Sequence, residues 1–265
     1  MTPTLSQLLK LADSMFPFSY SEPWDNSGVQ IGDLSRPITS IVLSLNASIQ
    51  AVRFAAENKS ELLISHHPLL MKPINKILLS DIQGNIILSA ARLGVDILSM
   101  HTNLDAAEGG LNDFLVELLG LYEAEIPEKA PCARLARLRE GETISIFSQR
   151  ICQKLGLNSV RSVGPTDRIV NSVFLVSGSG MGYLQQARAS KADVIVTGDV
   201  RYHGALDSEE YGIAVIDAGH FGLEKFAVDL MSNKFEEEFL KLEWKVRLTP
   251  YKGENNPFND IHCEI

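Results

Sequence analysis

Residues 61–105 run ELLISHHPLLMKPINKILLSDIQGNIILSAARLGVDILSMHTNLD, and the hydrophobic pattern of this stretch decides the fold. Leu62 to Ile64 is a short apolar run that ends in Ser65-His66-His67-Pro68. Gly84 to Leu93 has helical spacing, and Val95 to Met100 is a second strand-like run, ending at His101. Upstream, Ile38 to Leu45 is β-branched and apolar, which predicts a buried strand, and Ser48 to Asn58 predicts a helix. Strand, helix, strand, helix, strand is the grammar of an α/β sheet. Leu5, Leu8, Leu9 and Met15 recur at helical spacing over residues 4–16, and a turn-rich stretch follows from Pro17 to Gly32.

The pattern returns further along. Ile169 to Val176 predicts a strand, Met181 to Ala189 a helix, and Val194 to Val196 a strand ending in Thr197-Gly198-Asp199. Residues 205–211 then predict a short helix, and Ile213 to Ile216 a strand ending in Asp217-Ala218-Gly219-His220. The offset, about 120–130 residues, is too long for a solenoid repeat and reads as two related α/β units. We expect the first half to span residues 1–126 and the second 127–265, forming one compact unit. Glu123 to Gly141, charged and with Pro127 and Pro131, reads as the connection. The tail predicts a helix over 224–240, with a solvated acidic run at 236–238, and a strand from Trp244 to Leu248.

The 265 residues are 45% hydrophobic and 22% charged, with 19 Gly and 11 Pro, which excludes disordered, collagenous and coiled-coil chains. A net charge of −9 argues against a nucleic-acid polymer as partner, because such a surface repels phosphates. Cys132, Cys152 and Cys263 are odd in number and far apart, so no disulfide framework or metal knuckle follows, and structural free thiols in a reducing cytoplasm are expected. The start, MTPTLSQLLKLADSMF, lacks the basic and apolar regions of a signal peptide. GNIILSAARLGVDILSM is interrupted by Arg92 and Asp96, so no membrane association is expected.

Of six histidines, His66, His67, His101 and His220 directly follow apolar strands, where open α/β sheets bind ligands. In an extended strand exit, neighbouring side chains diverge, so His66 and His67 fit two adjacent ions, or one ligand and one supporting group. His101-Thr102-Asn103-Leu104-Asp105 and His220-Phe221-Gly222-Leu223-Glu224 hold the same spacing at equivalent points of the two units. At i and i+4 of a helical turn, imidazole and carboxylate share one face. Each carboxylate reads alone as either a helix cap or a ligand, and the repetition favours a shared site. Asp199 and His203, also four apart, are candidates for supporting ligands or contacting substrate, against a cap and a surface histidine. Ser177-Gly178-Ser179-Gly180-Met181-Gly182 lacks both dinucleotide spacing and a Walker lysine and reads as a tight turn. His262 reads as a polar tail residue, and no GxSxG supports a serine hydrolase.

Trp24-Asp25-Asn26-Ser27-Gly28-Val29-Gln30-Ile31-Gly32, Ile64-Ser65-His66-His67-Pro68, the His101 and His220 motifs, and Thr197-Gly198-Asp199 with His203 together resemble the NIF-three-like family of dinuclear-metal proteins, often called GTP cyclohydrolase I type II homologues. The resemblance implies two similar, intertwined α/β halves with the metal site between them. It implies homohexameric toroids and two divalent metal ions per subunit (Zn, Fe, Mn or similar). The metal ligands it implies are His66, His67, Asp105, His220 and Glu224, with His101 beside them. The connection is too short for the domain that many relatives insert between the halves, and Tyr202 stands where a second histidine often precedes His203. The expected function is metal-dependent hydrolysis of a nucleotide-like small molecule, with His101 and His203 moving protons. A non-catalytic metal carrier or metal-dependent scaffold is the alternative, and a regulatory interaction protein a third reading.

Overall fold

The computed structural model describes residues 1–259; His262 and Cys263 lie outside the described residues. In chain order the first part is α1 (Leu5–Met15), β1 (Gly28–Ile31), β2 (Ser40–Asn46), α2 (Ile49–Glu57), β3 (Leu62–His67), α3 (Ile82–Leu93), β4 (Asp96–Ser99), α4 (Thr102–Ala106), α5 (Leu111–Leu118) and β5 (Tyr122–Glu125). The second is β6 (Arg134–Thr143), α6 (Ile144–Leu155), β7 (Arg161–Val163), β8 (Ile169–Leu175), α7 (Leu184–Ala189), β9 (Val194–Thr197), α8 (Tyr202–Glu210), β10 (Ala214–Asp217), α9 (His220–Glu224), α10 (Ala227–Lys241) and β11 (Arg247–Pro250).

Two sheets result, ordered β1-β4-β3-β2-β11 and β5-β6-β8-β9-β10-β7. Each has three consecutive parallel strands, β2, β3, β4 and β8, β9, β10. Each is flanked by an antiparallel strand that precedes the trio in sequence, β1 against β4 and β7 against β10. A one-turn helix follows the third strand in both, α4 and α9. Each unit also lends its last strand to the other sheet. β5 pairs with β6, while β11 returns across the whole chain to lie parallel to β2.

Period-two alternation explains the layering. Ile41, Leu43, Leu62, Ile64 and Leu98 of one sheet and Val173, Leu175, Val194, Val196 and Ile216 of the other join one apolar cluster with α1, α5, α6 and α10. The intervening residues face outward. Val42, Leu63 and Ile97 pack on α2 and α3, and Phe174, Ile195 and Val215 pack on α7. Both faces of the parallel strands are therefore buried, as parallel sheets require.

The charged stretch from Glu123 to Gly141 is not only a connection, because most of it forms β5 and β6. The predicted tail helix is two, α9 and α10, broken at Lys225-Phe226, and the last strand lies slightly later than predicted. Cys132 and Cys152 are free thiols. No described helix is long and apolar enough to cross a membrane.

Candidate metal centre

The carboxyl ends of the parallel strands of both sheets meet at one cluster. β3 ends at His66 and His67, the turn after β4 carries His101, α4 carries Asp105, and α9 carries His220 and Glu224. The i, i+4 spacing does in α4 and α9 what a single helical turn allows, bringing both carboxylates inward. Asp105 and Glu224 are almost completely buried.

Each imidazole is held by one nitrogen and offers the other. His66 Nδ1 donates to the Met100 carbonyl at 2.9 Å, His67 Nδ1 lies 2.8 Å from Asn46 Oδ1, His101 Nδ1 2.8 Å from Asp25 Oδ1, and His220 Nδ1 2.8 Å from Asp199 Oδ2. This is the outer-shell pattern that fixes tautomer and ring orientation around metals. The Nε2 atoms converge. Those of His67 and His220 each lie 2.8 Å from Glu224 Oε2 and 3.2 Å from one another. His66 Nε2 is buried with no hydrogen-bond partner among the described residues, 3.8 Å from Glu224 Oε1 and 3.9 Å from Asp105 Oδ1.

Among the described residues, three overlapping groups could hold an ion: His66, Asp105 and Glu224; His67, His220 and Glu224; and His66, His67 and His101. The donor set fits a cation on its own chemistry. No lysine or arginine pairs with Asp105 or Glu224 among the described residues; only imidazoles do. Two buried carboxylates need compensating positive charge. In the metal-free protein, protons supply it. Burial disfavours charge on His66, yet neighbouring Asp105 and Glu224 raise it to about 9. The hydrogen bond to Glu224, assisted by Asp199, likewise raises His220 to about 9. Burial lowers His67 and raises Asp105. Burial also opposes the Glu224 charge, but the surrounding imidazoles hold it well below the usual carboxylate range.

The supporting residues come from stretches the sequence reading treated as turns. Asp25 accepts from His101, Thr102 and Ser27, and these bonds overcome its burial to keep it ionised. Ser177 Oγ donates to Asp105 Oδ1 at 3.0 Å. Gly178, with φ +61°, sits against Glu224: a Cβ there would come 2.3 Å from Oε1. The glycine-rich turn thus makes room for a ligand carboxylate. Asn46 carried no signal of its own, but parallel pairing sets it opposite His67. Asp199, with φ 55°, supports His220, one of the two roles its spacing suggested. His203 is exposed on α8, with its ring against Tyr202, and belongs to none of the three groups.

Fold and site together define a class: a duplicated α/β protein whose halves pool imidazoles and carboxylates at one inter-sheet centre. Residues 3–257 match the model of the Duf34/NIF3 (NGG1p interacting factor 3) family, and the chain belongs to that family. It is 31% identical over 263 residues to a Clostridium perfringens protein named GTP cyclohydrolase 1 type 2 homolog, covering 97% of this chain and 99% of the relative. It is 30% identical to the Helicobacter pylori protein named GTP cyclohydrolase 1 type 2, covering 83% and 87%. A Staphylococcus aureus hypothetical protein of solved structure superposes with a TM-score of 0.91 at 26% identity, covering 98% of this chain and 100% of that one. A Bacillus cereus protein related to NIF3 shares the fold, with a TM-score of 0.91 at 22% identity over 98% and 99%.

Proposed function

We propose that this protein is a metal-dependent hydrolase of a nucleotide-like small molecule, with two divalent ions per subunit held by His66, His67, Asp105, His220 and Glu224. The observation that carries the reading is the buried, unpartnered Nε2 of His66 facing two buried carboxylates, beside the paired Nε2 atoms of His67 and His220. Relatives named GTP cyclohydrolase 1 type 2, or its homolog, support a purine nucleotide as the substrate class.

Divalent ions in such a set act as Lewis acids and make water acidic enough to supply hydroxide near neutral pH. The chain's own part is to hold and shield the site and to move a proton. Glu224 faces all three of the proposed ligand histidines and would help to hold the ions, since a carboxylate offers two oxygens. His101 would take up a proton at Nε2, the nitrogen left free because Nδ1 is held by the Asp25 carboxylate. We assign this step to His101 rather than to exposed His203. The cytoplasm is the proposed location, and the family resemblance extends the proposal to a homohexamer, with a mass by light scattering of six times 29.2 kDa.

The test is metal analysis of freshly purified protein, followed by incubation of the metal-loaded form with GTP, other nucleotides, phosphoesters and amides. Product formation that is lost in Glu224→Gln supports the reading. Tight metal binding with the whole panel unchanged sinks hydrolysis and favours a metal carrier, which transfer to an acceptor apoprotein would then demonstrate.

A further inference from the structure

β11 runs beside β2 until Pro250 opposes Leu43, and Tyr251 N–H still reaches the Leu43 carbonyl at 2.8 Å. Past that point none of the described residues pairs with β2 as a strand. Glu254 takes over: its carboxylate accepts from Leu45 N–H at 2.7 Å, Asn46 N–H at 2.8 Å and the Asn46 side-chain Nδ2 at 2.8 Å. The other end of the Asn46 amide, Oδ1, lies 2.8 Å from His67 Nδ1.

The chemistry leaves one arrangement. An ionised carboxylate only accepts, so the amide NH2 has to face Glu254 and the amide oxygen has to face His67. An oxygen facing Nδ1 requires an imidazole proton on Nδ1, so Nε2, which lies 2.8 Å from Glu224 Oε2, is the nitrogen left to bind an ion. Without Glu254 the amide turns over at little cost. Its NH2 then favours the opposite tautomer, with a proton on the nitrogen that should bind metal.

We propose that Glu254 is a positioning residue for the metal centre: through Asn46 it sets the tautomer and aim of His67. The inference rests on the metal-centre reading and adds to it a residue from the C-terminal segment, supplied by the second unit to a ligand of the first. Removing an outer-shell partner of this kind costs about 10–100-fold in metal affinity.

The experiment measures Zn2+ affinity by chelator competition and, on chelator-treated protein, the 15N shifts of the His67 ring. Glu254→Gln has one oxygen for three N–H donors and is expected to bind Zn2+ about 10–100-fold more weakly, with His67 becoming a tautomer mixture. Adding Asn46→Asp restores most of the affinity, because the new carboxamide donates to the new carboxylate and that carboxylate accepts from Nδ1. Lys252→Ala, which removes the Lys252–Asp229 ion pair of the same segment but does not touch Asn46, keeps wild-type affinity. The proposal is overturned if Glu254→Gln binds Zn2+ like wild type, if Lys252→Ala loses as much, or if wild-type His67 carries no proton on Nδ1. Should wild type bind no Zn2+, the metal reading fails. The ring shifts then decide the proposal alone: a change of tautomer in Glu254→Gln upholds it and an unchanged ring overturns it.

Discussion

A proton carrier needs one nitrogen free and the other held, and among the described residues only one histidine outside the five proposed ligands meets both conditions. His101 is clamped by Asp25 and groups with His66 and His67, whereas His203 faces solvent beside Tyr202. His101→Ala is therefore expected to lower kcat by about 10²–10⁴-fold with metal content retained. His203→Ala should stay within a few-fold of wild type, and equal losses in the two variants would sink the assignment. A second prediction concerns protons. In the metal-free protein His66 and His220 are each raised to about 9 from 6.5. Folded values above unfolded ones mean stability that is full below pH 6.5 and is lost as pH rises through about 9. Divalent ions at the proposed centre would replace those protons, so metal affinity should climb across this window and binding should release protons. Calorimetry at pH 7.5 in buffers of different ionisation enthalpy checks this, and no net release would contradict it. The members of the cluster were legible in the sequence, because imidazoles and carboxylates at strand ends carry a spacing signal. Asn46, Ser177 and Glu254 were not, because a single amide, hydroxyl or carboxylate gains its meaning only from the partner the fold brings to it.

At the scale of elements, α4 owes its position to Arg134, the first residue of β6. Its guanidinium is buried, ion-paired with Asp113, and donates to the Ala106 and Ala107 carbonyls, both at 3.0 Å. One side chain thus fastens the C-terminal end of the helix that carries Asp105 to the other sheet. Arg134→Met strands these carbonyls and the Asp113 charge and should cost about 3–5 kcal/mol in urea unfolding. Arg134→Lys should recover little, since an ammonium lacks the planar fork. A loss under about 1 kcal/mol in Arg134→Met would refute this role. The same residue explains why β6 escaped the sequence reading. Its buried face starts Arg134, Ala136, Leu138 and its outer face Leu135, Arg137, Arg139, so an inward charge and an outward leucine disguise the period of two. The strands β2, β3, β9 and β10 and the C-terminal end of β8 were legible because both of their faces are covered, which turns them into apolar runs that alternation need not reveal.

At the scale of the whole molecule, the exchange of strands removes the choice between one domain and two. The duplicated order of elements was readable from motifs offset along the chain, but the exchange was not. A strand such as β5 (YEAE) or β11 (RLTP) pairs through backbone groups, and its side chains do not say which sheet it joins. With β11 in the first sheet, β5 in the second and one apolar cluster running through both, neither residues 1–126 nor 127–265 can bury its core alone. Each fragment expressed by itself should be insoluble or lack a folded signal, while the full chain unfolds in a single calorimetric transition. The proposed metal centre lies across the same junction, so an ion bound there holds together both units and not one of them. Adding metal at 100 times its dissociation constant should stabilise the chain by about 2.7 kcal/mol per site and raise the midpoint of the whole transition, with chelator reversing the shift. Two separated transitions, only one of which moves with metal, would show that the units fold independently and that the ligands belong to one of them.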